Sequence, residues 1–273
     1  MKKVVLPFEG GHFPEDVLEM LSQLNILSPV LLTAAFVPEV DYAQLWSLAS
    51  GAGAATYLAE VDDEDEVIRN NTARLDDWCK RNNLRYVTHT DRFDFALQAI
   101  RKESRFTDLL ALSTRHFFEN ISSDQPNVYM KEILHTAQCP ILLVPEKASL
   151  PGHIVLAYDG SPSSIHAIRQ FTYLFPELCT TKATLVYLSE KKEEAFPDES
   201  FISELAAQHF NDLRILKLEM SAENFFGEWM SGKSQPWLIT GSYGRSGWSQ
   251  LFAKSFAAAT IKQPAIPVFI SHT

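Results

Sequence analysis

The stretch Ile239-Thr-Gly-Ser-Tyr-Gly-Arg-Ser-Gly-Trp-Ser-Gln-Leu-Phe-Ala-Lys-Ser-Phe-Ala257 decides how this chain is read. A short apolar strand runs into glycines, and a serine then opens an apolar helix, which is the layout of a phosphate cradle. Gly241 and Gly244 lack Cβ atoms, so backbone N–H groups there can approach an anion closely. A helix begun near Ser255 would add unpaired N–H groups and the positive end of its dipole. A strand, a turn with two glycines and a helix are also ordinary punctuation in α/β proteins, so a purely structural reading stands beside the functional one. Two other cradles fail on the same residues. Lys254 lies ten positions after Gly244, which excludes G-x-x-x-x-G-K-[ST]. The turn Ala157-Tyr-Asp-Gly-Ser-Pro162 carries an aspartate where a dinucleotide fold needs G-x-G-x-x-G.

Working outward, strands and helices alternate, and then the alternation starts again. Residues 151–273 read as strand His153–Asp159, helix Ser163–Phe175, strand Ala183–Ser189, helix Glu199–Asn211 and strand Leu213–Glu219. Helix Ala222–Gly232, strand Trp237–Gly241, helix Lys254–Lys262 and strand Pro267–Ser271 follow. Residues 1–146 give the same order: strand Val4–Phe8, helix Pro14–Leu24, strand Val30–Val37, helix Glu64–Asn82 and strand Tyr86–His89, then helix Asp94–Glu103, strand Leu109–Ser113, helix Val128–Gln138 and strand Pro140–Val144. Short apolar runs mark the strands and i, i+3, i+4 spacing marks the helices. The expected fold class is α/β: two tandem doubly wound domains, 1–146 and 151–273, each a parallel five-stranded sheet with helices on both faces. Three anchors align the copies: Glu9 with Asp159, Ser113 with Gly241, and Cys139-Pro140 with Ile266-Pro267. The separations are 150, 128 and 127 residues, so the second copy is shorter by 23, and a long connection from Pro38 to Asp63 accounts for most of the difference. A period this long means duplicated domains rather than a solenoid.

The second copy resembles the universal stress protein family, whose nucleotide-binding members carry G-x2-G-x9-G-[ST] after the fourth strand and an aspartate followed by Gly-Ser after the first. Gly241, Gly244 and Ser255 fall in register with that pattern, and Asp159-Gly160-Ser161 matches the turn. Lys254 stands at the third glycine position. The resemblance, to tandem members with an adenine nucleotide alpha hydrolase-like fold, covers essentially the whole chain. It implies that Ala157, Tyr158 and Asp159 flank the adenine and ribose of a bound ATP or related nucleotide, and that Leu188 lines the base pocket. It also implies that Gly241 and Gly244 bring backbone to the ribose and phosphates, that Arg245 reaches the phosphate tail, and that Ser255 with the N–H of Phe256 sits at the helix start. Lys254 either pairs with the phosphates as a flexible point charge or fills their space with its stem. For Asp159 the alternative is a tight Asp-Gly turn beside a helix cap, and for Leu188 and Phe256 it is core packing. The family's last strands meet edge to edge, so Pro140–Val144 and Pro267–Ser271 would pair across a pseudo-two-fold axis within the chain and remove two exposed edges.

In the first copy Ser113 and His116 replace both glycines, and Pro126 and Asn127 stand where the last motif pair would be. That cradle is lost, although Arg115 and His116 could hold some other anion. The chain has 273 residues, of which 46% are hydrophobic and 21% charged, an ordinary globular composition. Three cysteines without C-x-x-C spacing and no run of about 20 apolar residues point to a cytoplasmic protein with no membrane span. The net charge of −10 argues against nucleic acid as a partner. By halves it is −8 for residues 1–150 and −2 for 151–273. The run Asp62-Asp-Glu-Asp-Glu66 reads as the acidic start of the long helix rather than a cation site. Scattered histidines, the absence of G-x-S-x-G and the lack of a base or of a second carboxylate for Mg²⁺ argue against a committed enzyme. The expectation is a stress-response module with one weak nucleotide site and an unidentified protein partner. The alternative is a scaffold of the same fold that binds no nucleotide.

Overall fold

The computed structural model describes residues 1–9, 12–37, 53–90, 96–114, 128–189, 195–219, 229–241 and 266–272. Ten strands form one sheet: β1 (Lys2–Glu9), β2 (Val30–Val37), β3 (Arg85–Thr90), β4 (Leu109–Ser113), β5 (Ile141–Val144), β6 (His153–Tyr158), β7 (Ala183–Ser189), β8 (Leu213–Glu219), β9 (Pro236–Thr240) and β10 (Val268–Ile270). The described helices are α1 (Glu15–Leu27), α2 (Gly53–Arg81), α3 (Ala96–Ser104), α4 (Val128–Thr136), α5 (Pro162–Leu174) and α6 (Glu199–His209), with a 3₁₀ turn at Pro176–Thr180. None of them is long and apolar enough to cross a membrane.

The sheet order is β3-β2-β1-β4-β5-β10-β9-β6-β7-β8. Within each half every pairing is parallel. Among the described strands only β5 and β10 are antiparallel, so the two five-stranded halves join edge to edge as the family resemblance implied. Leu142 pairs with Phe269, and these residues are 127 positions apart, the separation of the Pro140 and Pro267 anchors. The pseudo-two-fold axis therefore passes through that pair. Both faces are buried along the central strands, as parallel sheets require, while the edge strand β3 is largely exposed. Val4, Leu6, Phe8, Ile154, Leu156 and Tyr158 face one core with α1 and α5, while Val5, Val155 and Ala157 face the other. Phe269, paired with Leu142 at the axis, packs against Phe171 and Phe175 of the second half at 5.4 and 6.1 Å between ring centroids.

Polar contacts also join the halves. Lys2 Nζ lies 3.2 Å from Glu177 and 5.5 Å above the Phe175 ring. Leu150 N donates to Gln23 Oε1, and Trp237 Nε1 donates to Ser149 O across the linker.

Two expectations need correction. The long helix starts at Gly53, eleven residues ahead of Glu64. The acidic run Asp62–Glu66 therefore lies inside α2 and not at its N-terminus, because Ala54, Ala55 and Ala59 favour helix strongly enough to carry it upstream. Much of the first copy's extra length is thus helix rather than loop: α2 has 29 residues and its counterpart α6 has 11. The turn Pro176–Thr180 was not expected; Pro176 opens it, and Leu178 and Cys179 bury its inner side.

Candidate functional site

In each half the chain leaves the first strand between two parallel neighbours reached in opposite directions, β2 and β4 for β1, and β7 and β9 for β6. Ligands of open α/β sheets bind at such switch points, outside the carboxyl ends of the strands. The two switch points of this chain are built differently.

At the end of β6, Asp159 Oδ1 accepts a hydrogen bond from Ser161 N at 2.9 Å, closing an Asx turn. Gly160 takes φ +79°, and a side chain there would meet Pro197 Cγ at 2.9 Å. Ser161 then caps α5, its Oγ accepting from Ser164 N, with Pro162 in the first turn. Gly241, just after β9, is pressed onto that first turn. A Cβ on Gly241 would lie 2.3 Å from Ser163 C and Ser164 N. Its missing side chain is therefore demanded by the approach of α5, whatever else its backbone contacts.

At the first switch point the position equivalent to Gly241 is Ser113, at the end of β4, whose Oγ donates to Asp16 Oδ2 at 2.6 Å. The side chain fits because α1 begins at Glu15, six residues after Glu9, whereas α5 begins three residues after Asp159. The first switch point thus holds a carboxylate and a hydroxyl bonded to each other, where the second holds a glycine against a helix start.

Both strand ends are walled by aromatic rings, with the third ring drawn from a different segment in each. In the first half Phe8 packs on Phe36 at 4.9 Å and on Phe13 at 5.8 Å, and Arg74 lies 4.1 Å above Phe13 while pairing with Glu15. In the second half Tyr187 stacks on Phe196 at 4.9 Å, and Tyr158 lies 5.7 Å from Phe196. The Tyr158 hydroxyl donates to Pro197 O at 3.1 Å. Burial, with the carboxylates of Asp198 and Asp159, pushes that hydroxyl's pKa up, so it stays a donor.

Of the residues assigned from the sequence, Ala157 is buried beside Val155, on the sheet face opposite Tyr158. Tyr158 is fully buried, and its ring faces the core with Ile154 and Leu156. Period-two alternation from Ile154 and Leu156 carries the signal for that. Asp159 and Gly241 come together around the start of α5. Leu188 pairs with Leu218 through the backbone of β7 and β8. Gly244, Arg245, Lys254, Ser255 and Phe256 lie outside the described residues, as do Arg115, His116, Pro126 and Asn127. Sequence reasoning missed Phe196 and Pro197, an aromatic-proline pair immediately before the first residues of α6.

The three thiols are poor nucleophiles at neutral pH. Burial pushes Cys79 and Cys179 to about 11 and Cys139 to about 12. Among the described residues, no group of three or more His, Cys, Asp or Glu side chains is arranged to hold a metal ion.

No protein-family model and no curated protein matches the sequence. Solved structures do match in shape. A universal stress protein from Archaeoglobus fulgidus DSM 4304 superposes with a TM-score of 0.68 at 13% identity, covering 99% of this chain and 96% of that one. A putative universal stress protein from Pseudomonas aeruginosa UCBPP-PA14 gives 0.56 at 12% identity, over 100% and 93% of the two chains. Along its whole length, then, this chain has the fold of the universal stress proteins.

Proposed function

We propose that the chain is a cytoplasmic stress-response module of universal stress protein type, binding one ATP or related nucleotide weakly at the second switch point and acting without fast catalysis. The observation that carries this reading is the contrast between the two strand ends. Gly241 rests on the capped start of α5, next to Asp159. Ser113 is tied to the Asp16 carboxylate, which repels an anion. Asp159 is the acceptor suited to a ribose hydroxyl, and the backbone after β9 is the part of the chain that would meet phosphates. Lys254 then modulates affinity, by occlusion or by pairing.

Calorimetric titration of ATP into the full chain at fixed salt tests it. One site per chain, weakened by Gly244→Val and unaffected by Ser113→Ala, supports the reading; no heat of binding at millimolar ATP refutes it. The scaffold reading draws on one observation of its own. Phe196 and Pro197 pack against the ends of β6 and β7, where a base would be lodged.

A further inference from the structure

The amino-terminal end of the first half's strands gathers exposed apolar side chains and basic ones. Seven large apolar side chains are exposed among the described residues, and four of them, Met1, Ile26, Leu27 and Phe106, belong to this end. Ile26 is 81% exposed and Phe106 71%. The register groups them. Lys2 pairs with Val30, and Val4 pairs with Leu109. Met1, one residue before β1, and Phe106, three residues before β4, therefore stand level, with Ile26 and Leu27 in the last turn of α1, which leads into β2 on the other side of β1.

The same end is basic. Lys80 and Arg81 close α2, and Arg101 and Lys102 close α3. Lys3, Arg85 and Arg105 stand at the neighbouring strand starts and turn. Cations at helix C-termini answer the helix dipoles, which explains part of the charge but none of the apolar exposure. Of the acids nearby, Asp76 is engaged with Lys80 and Tyr86, Glu103 with His89 and Asp108 with Lys3 N, while Asp77 also acts on Lys80. A locally cationic end on a chain of net charge −10 is a segregated charge.

The fold does not require the apolar part of this surface, because the second half, whose equivalent end also carries Lys182, Arg214 and Lys233, does without it. Position 1 corresponds to Pro151, position 106 to Ser234, and the α5–β7 connection offers Glu177, paired with Lys2, and the buried Leu178. Exposed apolar side chains ringed by Lys and Arg are the makeup of a surface that lies in a membrane interface and needs no spanning helix. A second copy of the same end is excluded as the occupant, since it would bring cations against cations. The apolar side chains come from the start of β1, the last turn of α1 and the turn before β4, so they form no single continuous helix face, which fits a deformable surface better than an acidic peptide.

We propose that this end of the first half docks on an anionic lipid surface, with Ile26, Leu27 and Phe106 inserting and the surrounding Lys and Arg side chains meeting the headgroups. The test is co-sedimentation of the full chain with vesicles of phosphatidylcholine alone or with about 30% phosphatidylserine, at about 50 and 500 mM salt, where screening lengths differ several-fold. Binding is expected only with phosphatidylserine, is weaker at high salt, and falls at least tenfold in the double variant Ile26→Ser, Phe106→Ser. Both positions are exposed, and an unchanged thermal melt verifies that the variant folds. Failure to sediment with phosphatidylserine at low salt overturns the proposal. So does binding that the double variant retains, which would be ion exchange alone, and so does saturable binding of poly-glutamate abolished by the same substitutions, which would make the partner an acidic protein segment.

Discussion

Gly241→Ala is expected to destabilise the protein more than any other single-methyl addition at a described glycine. The new Cβ would lie 2.3 Å from Ser163 C, 2.3 Å from Ser164 N and 2.5 Å from Ser163 O, all main-chain atoms of the first turn of α5. Carbon contacts are comfortable at about 3.5–4.0 Å, so β9 and α5 must separate by more than 1 Å or so. No flexible side chain can give way instead. Overpacking typically costs about 1–3 kcal/mol, and rigid backbone on both sides argues for about 3. For a chain of this size that lowers Tm by roughly 6 °C or more. Urea unfolding followed by circular dichroism and by fluorescence, to which the fully buried Trp237 on β9 contributes, measures it. The slope should stay unchanged and the midpoint should fall. The first half supplies a control: Ser113 already carries a Cβ there, so Ser113→Ala loses only its bond to Asp16, about 1.5–3 kcal/mol, and disturbs no helix start. Faster amide exchange at Ser163–Ile165 should accompany Gly241→Ala and not Ser113→Ala. A Gly241→Ala protein within about 0.5 kcal/mol of the starting chain would refute the packing argument.

Three further outcomes are expected. Burial works against ionisation of Glu177, but its own N–H, Lys2 and Ser28 outweigh it and hold its pKa below the usual value. The stabilisation it gives is present above the unfolded pKa and is lost as pH falls through the folded one. Lys2→Met should therefore cost about 0.5–1 kcal/mol at pH 7, a difference that shrinks below about pH 4 in urea titrations, and a pH-independent difference would remove the ion pair from the account. Residues 151–273 alone would expose the apolar edge Val268–Ile270, so dimers or aggregates are expected in sedimentation, and a stable monomer at high concentration would contradict the edge-to-edge reading. Lys254→Gly should strengthen ATP binding if the lysine stem occludes the phosphate space, whereas a tenfold weakening, about 1.4 kcal/mol, would make Lys254 a phosphate ligand.

The strands were the most legible part of the sequence. Strands such as Leu109–Ser113 and Ile141–Val144 are buried on both faces and read as unbroken apolar runs. The pairing of β5 with β10 was what the family resemblance implied. The start of α2 was harder to read, because Gly51 and Gly53 look like loop punctuation and the acidic run imitates a helix N-terminus, while the alanines between decide the matter. At the site, Asp159 and Gly241 were readable as a pair. The reason Gly241 must be glycine was not, because it depends on where α5 starts relative to β9, a contact of 77 or more residues in separation. The inward turn of the Tyr158 ring was legible from strand parity with Ile154 and Leu156. Phe196 and Pro197 gave no local signal, since their partners Tyr158, Gly160 and Tyr187 lie on other elements.

The central claim, one nucleotide site at the second switch point, is tested most directly by amide hydrogen exchange on the full chain with and without saturating ATP. The account predicts slowed exchange at Asp159–Ser164 and Gly241, with residues 8–16 and 113–114 unchanged. Protection confined to the first half, or equal in both, would contradict it.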